Sequence, residues 1–248
     1  MKKFFIFFFI SMFGTLLHAQ SRFIFPELDK SLLNVWIVSQ SHGVDALETS
    51  ILKTENEWLN IKDALAKEKV DNYNMKSFTH DLSYLVELMK RDFENEKYGQ
   101  IQGYAEHFLW EFRTLRRCSF IEYYPLDQLW DVYDIYKEVH YTIDDPMFGL
   151  REWAEFELLV NDLIKAWENY ELIHDGQLIE YYTAIDFNAH KQTKAKISNC
   201  ILELVASFES GYRTDYQLPC DELDMAFMSL FTLYTKATIT PGIVRGIL

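Results

Sequence analysis

The chain has 248 residues and a formal net charge of −14, with 38 acidic residues against 24 lysines and arginines. A protein this acidic is repelled by phosphate backbones, which argues against nucleic acid as a partner. Aromatic residues make up 16% of the sequence, and so large an apolar content excludes a disordered acidic tail.

The N-terminus has the three-part layout of a secretory signal peptide, predicted over residues 1–19. Lys2 and Lys3 form a basic start, an apolar run covers 4–17, and Ala19 is a small residue at the expected cleavage site. The run is shorter than the about 20 apolar residues that a transmembrane helix needs. We therefore expect export to the periplasm or the extracellular space, and no membrane span after cleavage. No cysteine lies near the junction, so a lipid anchor is not expected.

Apolar residues recur three and four positions apart through the rest of the chain, which is the spacing of one face of an α-helix. No segment shows the sustained alternation of a half-buried strand. The sequence therefore predicts an all-α fold, an antiparallel up-down helical bundle of about nine helices. The clearest stripe, in a helix predicted over 147–170, consists of Trp153, Phe156, Val160, Leu163, Trp167 and Tyr170.

Three prolines are predicted to stand at helix starts. Pro26, Pro125 and Pro219 are each followed within three residues by an aspartate, which can cap free N–H groups. The sequence after Pro125 (Leu-Asp-Gln-Leu) resembles the sequence after Pro219 (Cys-Asp-Glu-Leu). This similarity raises the hypothesis of a duplicated four-helix unit. The alternative is that Pro-x-Asp is simply a common helix start.

The predicted organisation of the exported chain has two helical units and a tail. The first unit covers residues 20–121, and the second covers 122–236 and packs on the first. Residues 237–248 are predicted to be irregular, because Pro241 and Gly242 prevent the last helix from continuing.

Three cysteines are present, and an oxidising compartment would permit one disulfide. We expect Cys200 to pair with Cys220, because the two lie on successive predicted helices joined by a short loop. Cys118 is then expected to be a buried apolar-like residue. Three cysteines allow three pairings, so the other two remain alternatives.

The histidines provide the case for a metal or haem site. Glu171 and His174 form Glu-x-x-His, which is half of a di-iron carboxylate motif in helical bundles. The sequence contains no second copy of the motif, so His174 is expected to be an ordinary residue near a helix end. Asp186 and His190 could share a helix face, and an exposed ion pair is the expected arrangement.

Arginines and tyrosines supply the candidate contact residues. Arg113, Arg116 and Arg117 form the densest basic cluster, which suits an anion or an acidic partner. The alternative, which we favour, is internal pairing with neighbouring glutamates. Tyr212 and Arg213 lie in a predicted loop that could contact a ligand or simply tie the loop down.

Catalytic motifs are missing from the sequence. It contains no glycine-rich phosphate loop, no His-Glu-x-x-His zinc motif and no Gly-x-Ser-x-Gly nucleophile elbow. We therefore interpret the chain as an exported, non-catalytic protein with a binding or assembly role in the cell envelope or extracellular space, acting on an unidentified protein partner. The alternative hypothesis is a redox carrier that binds a transition metal or non-covalent haem.

Overall fold

The computed structural model confirms that the protein is an all-α helical bundle. Its described residues form nine helices, and the β-pairing among them is limited to one isolated bridge between Val70 and Tyr73. The antiparallel up-down arrangement of the whole bundle stays a prediction. The predicted signal peptide and residues 238–248 of the predicted tail lie outside the described residues. The structure describes residues 23–41, 43–70, 73–119, 121, 123–145, 153–182, 185–210 and 214–237.

The nine helices fall into two compact units along the chain. The first unit contains α1 to α4, and the second contains α5 to α9. No helix among the described residues combines the length and the apolar character that crossing a bilayer would require. The helices are α1 (Pro26–Ser41), α2 (Val44–Leu65), α3 (Met75–Glu94), α4 (Tyr98–Cys118), α5 (Pro125–Asp144), α6 (Trp153–Glu171), α7 (Asp175–Tyr181), α8 (Phe187–Ser210) and α9 (Thr214–Lys236).

The first unit is a ring of four helices around an aromatic core. Helix α1 packs against α2 and α4, and helix α3 packs against the same two. The ring of Phe112 lies at the centre, with ring-centroid distances of 5.7 Å to Phe25, 6.3 Å to Trp58, 5.7 Å to Phe78 and 5.5 Å to Phe108. Most of these contacts are edge-to-face, the arrangement that aromatic pairs prefer.

The turn between α3 and α4 is short and is closed by hydrogen bonds of the Schellman type. Residues 95–97 make the connection. The backbone N–H of Lys97 donates to the Asp92 carbonyl at 2.8 Å, and that of Glu96 donates to the Phe93 carbonyl at 3.0 Å. Glu96 has a φ of 57°, the left-handed conformation that this motif requires and that glycine usually provides.

The second unit has the same order of neighbours, with one short helix added. Helix α5 packs against α6 and α9, and α8 packs against the same two, so these four helices also form a ring. Helix α7 has only 7 residues and lies between α6 and α8 in the chain. The two rings thus share their order of packing, while the duplication itself stays a hypothesis.

The helix starts agree with the sequence at two prolines and differ at the third. Pro26 and Pro125 are the first residues of α1 and α5, as predicted. Pro219 lies inside α9, which begins at Thr214, so the predicted start is wrong there. A proline inside a helix leaves the carbonyl four residues earlier without its usual N–H donor. Here that carbonyl, on Asp215, accepts from the Ser207 hydroxyl of α8 at 3.0 Å, and the helix continues through the proline.

The cysteines differ from their predicted roles. The disulfide predicted between Cys200 and Cys220 is not formed, and both are buried free thiols. The Cys200 thiol instead lies 3.7 Å from a carboxylate oxygen of Glu222. Cys118 is an exposed free thiol rather than a buried one. It follows two residues after the buried Arg116, and two positions along a helix lead to the opposite face.

Candidate binding groove between helices α3 and α4

A groove opens between α3 and α4 in the first unit. It consists of two adjoining cavities of about 330 and 270 Å³, which share Phe78, Asp81 and Glu111 in their walls. The floor of the larger cavity is apolar and comes from Leu82, Leu85 and other α3 side chains. We refer to these two adjoining cavities as the α3–α4 groove.

The sequence of α3 explains why one helix provides both the floor and one rim. Phe78, Leu82 and Leu85 recur at steps of four and three, so they share the face that packs into the core. Asp81 and Tyr84 directly precede Leu82 and Leu85 in the sequence, so they lie beside this stripe, and both are exposed. At the start of the helix, Asn74 caps the backbone by accepting from the Ser77 N–H at 3.3 Å.

Glu111 of α4 is a carboxylate held by two neighbours. Its Oε1 lies 3.4 Å from His107 Nε2, and its Oε2 accepts from the Tyr73 hydroxyl at 3.5 Å. Burial, together with the negative charge of Glu111, raises the pKa of Tyr73 to about 12. Tyr73 therefore keeps its proton at neutral pH and remains a donor to Glu111.

Asp81 of α3 is the second carboxylate of the groove. It is more exposed than Glu111, lies 3.4 Å from His80 Nδ1 and accepts from the Ser77 hydroxyl at 3.4 Å. No lysine or arginine is among the described residues that line either cavity. The described residues that line the groove therefore include two acidic groups and one histidine, His107.

Aromatic side chains surround the same opening. Tyr84 lines the larger cavity and is 53% exposed. Trp110 is 50% exposed, and its ring centroid lies 6.1 Å from that of His107, another lining residue. Large aromatic side chains are usually covered in a folded protein, so two half-exposed rings beside one groove mark this surface as unusual.

The arginines singled out from the sequence do not form one surface. Arg116 is fully buried, and its Nη1 lies 3.1 Å from Oδ2 of Asp29, which is also buried. Arg113 is buried as well, whereas Arg117 is exposed. Arg113 and Arg116 are therefore not accessible contact residues, because the core-facing side of α4 includes both positions.

The remaining candidate residues from the sequence are Tyr212 and Arg213 for contacts and Glu171 and His174 for a metal. Tyr212 and Arg213 lie outside the described residues. Glu171 Oε1 accepts from the Ser198 hydroxyl at 2.6 Å, and the exposed His174 precedes α7 rather than continuing the buried stripe of α6. Across the described part of the chain, no group of three or more His, Cys, Asp or Glu side chains has a geometry suited to a metal ion.

The core of the second unit contains two hydrogen-bonded sets of buried side chains, which meet where the ring centroids of Tyr182 and Tyr234 lie 5.1 Å apart. We call the four tyrosines and the histidine of these two sets the tyrosine cluster. The hydroxyl of Tyr170 lies 2.7 Å from that of Tyr234 and 3.2 Å from His190 Nε2. The hydroxyls of Tyr124 and Tyr182 lie 2.8 Å apart. All five side chains are buried, and each polar atom in these pairs has a partner, as buried polar groups require.

His190 differs from its predicted role as half of an exposed ion pair. Its imidazole is buried, while Asp186 uses its carboxylate to accept from the Ala189 N–H at 3.0 Å at the start of α8. Burial, reinforced by the nearby Lys194 ammonium, lowers the pKa of His190 to about 4. The histidine is therefore neutral at physiological pH and serves the packing of the second unit.

No family model, curated protein or solved structure matches this chain. The groove must therefore be interpreted from its own geometry. Of its walls, Phe78, Leu82 and Leu85 follow the helical spacing that predicts a buried face, whereas nothing in the sequence distinguishes Asp81 and Glu111 from the many other acidic residues. A pattern within one helix cannot show how far the next helix stands from it.

Proposed function

We propose that the protein is an exported, non-catalytic binding protein of the cell envelope or extracellular space, and that the α3–α4 groove is its binding site. The observation that carries this proposal is the groove itself, an apolar floor bordered by Asp81 and Glu111. Its larger cavity, about 330 Å³, falls within the range of about 300–1,000 Å³ that ligand sites occupy. The export part is supported by the layout of residues 1–19.

The floor supplies enough apolar surface for modest affinity. A ligand that covers this floor would gain roughly 1.5 kcal/mol from burial. The two carboxylates would then orient the bound molecule, which is the usual division between apolar walls and a few polar groups in ligand sites. The hydroxyl of Ser77, the serine among the described lining residues, donates to Asp81 and not to a histidine, so the lining favours binding over nucleophilic catalysis.

Site-specific photo-crosslinking in the producing cells tests the binding site. A benzoylphenylalanine replaces Tyr84, which lines the groove, or Tyr141, which is 72% exposed in the second unit and serves as the matched control. We expect a discrete adduct at position 84 and none at position 141. The adduct should weaken when Leu88→Gln replaces an apolar side chain in the lining of the groove with a neutral polar one.

Intact mass spectrometry of the recovered protein tests both parts of the proposal, export and the groove as the binding site. A protein that begins at Gln20 and is found outside the cytoplasm would agree with export, and one that retains residues 1–19 would contradict it. Equal labelling at positions 84 and 141, or an adduct that is insensitive to the Leu88 change, would contradict the groove as the site.

A further inference from the structure

We propose that the α3–α4 groove binds a small amphipathic organic cation, a primary ammonium group on an aromatic or alkyl body. This inference rests on the proposed function, and it names the class of ligand. Asp81 and Glu111 border both cavities, and no lysine or arginine is among the described residues that line them. The charge of the walls therefore complements a cation and disfavours an anion.

Glu111 is already positioned to accept such a cation. Its two oxygens are held by Tyr73 and His107, so little side-chain freedom remains to be lost when a ligand binds. An acceptor fixed in advance binds more tightly than a mobile one, because the ordering cost has already been met by the fold. The raised pKa of Tyr73 keeps its hydroxyl a donor, which supports the same arrangement.

The rings around the groove suit a cation with an apolar body. Phe78 lines both cavities together with the two carboxylates, and the half-exposed Tyr84 adds a second ring to the larger one. Aromatic faces attract ammonium groups, and their edges pack against alkyl or aryl carbons. A fully polar cation would leave the floor of Leu82 and Leu85 uncovered, so the site favours an amphipathic one.

The size of the groove favours a small molecule over a segment of a partner protein. Each of the two cavities, of about 330 and 270 Å³, would hold a single side chain or a compact ligand. A stable protein interface buries at least about 1,000 Å² in total, far more than these walls can offer. We therefore take the source of the ammonium group to be a free amine.

Three matched probes test the charge preference in the purified protein. The probes are 2-phenylethylamine, the neutral 2-phenylethanol and the anionic 3-phenylpropanoate, each titrated while the amide signals of Tyr84 and Leu88 are followed by NMR. We expect the amine to bind about threefold to fivefold more tightly than the alcohol, as for a partly exposed ion pair, and the carboxylate to bind most weakly. The preference should shrink at high salt, since exposed charges are screened.

Neutral substitutions assign the preference to the two carboxylates. Glu111→Gln and Asp81→Asn should each reduce the advantage of the amine over the alcohol about threefold and leave the alcohol unchanged. Glu87→Gln is the matched control, because Glu87 is an exposed residue of α3 that does not line the groove. Amide signals of the second unit should stay in place in every variant, which would show that the fold is intact.

The outcomes separate this inference from the proposed function. Equal binding of the amine and the alcohol at the groove would overturn the cation preference and leave the binding site standing. If none of the probes shifts the signals of Tyr84 and Leu88, both the inference and the groove as a site fail. Tighter binding of Nα-acetyl-lysine methylamide than of the free amine would overturn the small-molecule source in favour of a lysine side chain of a partner protein.

Discussion

The two units arrange four helices in the same ring but manage their buried polar groups in different ways. The first unit buries an ion pair, with the exposed fractions of Arg116 and Asp29 at 0% and 1%. The second also buries Asp127 at the start of α5, but it adds the neutral tyrosine cluster, in which hydroxyls and an uncharged His190 form hydrogen bonds. A buried ion pair is destabilised by the loss of either partner, whereas a neutral network that contains a histidine is destabilised by protonation. The same helix order is thus compatible with two different vulnerabilities.

The largest effect is expected from breaking the buried ion pair of the first unit. Arg116→Leu removes the counter-charge of Asp29 and should lower the free energy of unfolding by about 3–5 kcal/mol. Hydrogen exchange of α1 and α4 amides in urea would measure the loss. Lys53→Met, which breaks an exposed pair with Glu27 at 3.3 Å, is the control and should cost less than about 1 kcal/mol. Equal losses in the free energy of unfolding for the two variants would show that the buried pair contributes no more to stability than the exposed pair.

The second unit should lose stability in mild acid. The pKa of His190 is about 4 in the folded protein, against an ordinary value of 6.5. The unfolded chain therefore binds the proton first, and the stability that neutral His190 contributes is complete above pH 6.5 and is lost as the pH falls toward 4. The loss should reach up to about 3 kcal/mol in α8 and α9 amide exchange.

Two histidine variants assign this pH dependence. Lys194 and Asp175 are the charged groups that shift the pKa of His190, and Tyr170 is its hydrogen-bonding neighbour, so all three stay in place in both variants. His190→Gln should flatten the pH profile between 4 and 6.5. His80→Gln, at an exposed position of the first unit, should leave it unchanged. If the stability of His190→Gln still depends on pH between 4 and 6.5, other groups cause the pH dependence.

We expect the thiol of Cys118 in the first unit to react about 100-fold or more faster than the thiols of Cys200 and Cys220 in the second. Burial, reinforced by neighbouring carboxylates, raises the pKa of Cys200 to about 11 and that of Cys220 to about 12, whereas Cys118 in the first unit is exposed. A thiol reagent at pH 8 should therefore titrate one fast thiol in the native protein and three after unfolding without reductant. A single thiol after unfolding would mean that Cys200 and Cys220 are bonded after all.

The smallest effect is expected within the tyrosine cluster. Tyr234→Phe removes one hydroxyl, while Tyr170 keeps His190 as a partner, so the loss of stability should be about 1 kcal/mol. Tyr141→Phe changes an exposed hydroxyl and should cost almost nothing. Urea unfolding of both variants would show the difference. A loss of several kcal/mol for Tyr234→Phe would mean that the cluster acts as one cooperative network.

The helical fold was predictable because a stripe of apolar residues is a property of one segment. In α6, for example, Phe156, Val160 and Trp167 are all buried, as the steps of three and four require. Pro26 and Pro125 were equally local signals, since a proline at a first helical turn needs no distant partner. Such features can be interpreted without knowing where any other helix lies.

The errors concern residues whose role depends on a second helix. Arg116 was expected to contact an anion, an acidic partner or a neighbouring glutamate, because its buried partner Asp29 is 87 residues away in the chain. His190 was placed at the surface because nothing in α8 alone predicts the hydroxyl of Tyr170 beside it. Pro219 was read as a helix start because the hydroxyl that compensates it belongs to α8. The groove could not be predicted for the same reason, because it is a gap between two helices and the apolar stripe of one helix does not predict it.

The short turn at residues 95–97 has a consequence for the groove at the other end of the same helix pair. Glu111 lies fourteen residues beyond Lys97, so the groove is about 20 Å along the helix from the turn. Over that distance a difference of about 5° in the angle between the two helices corresponds to about 2 Å at Glu111. The left-handed conformation of Glu96, which sets the direction in which α4 leaves α3, therefore bears on the spacing of a groove that Glu96 does not line.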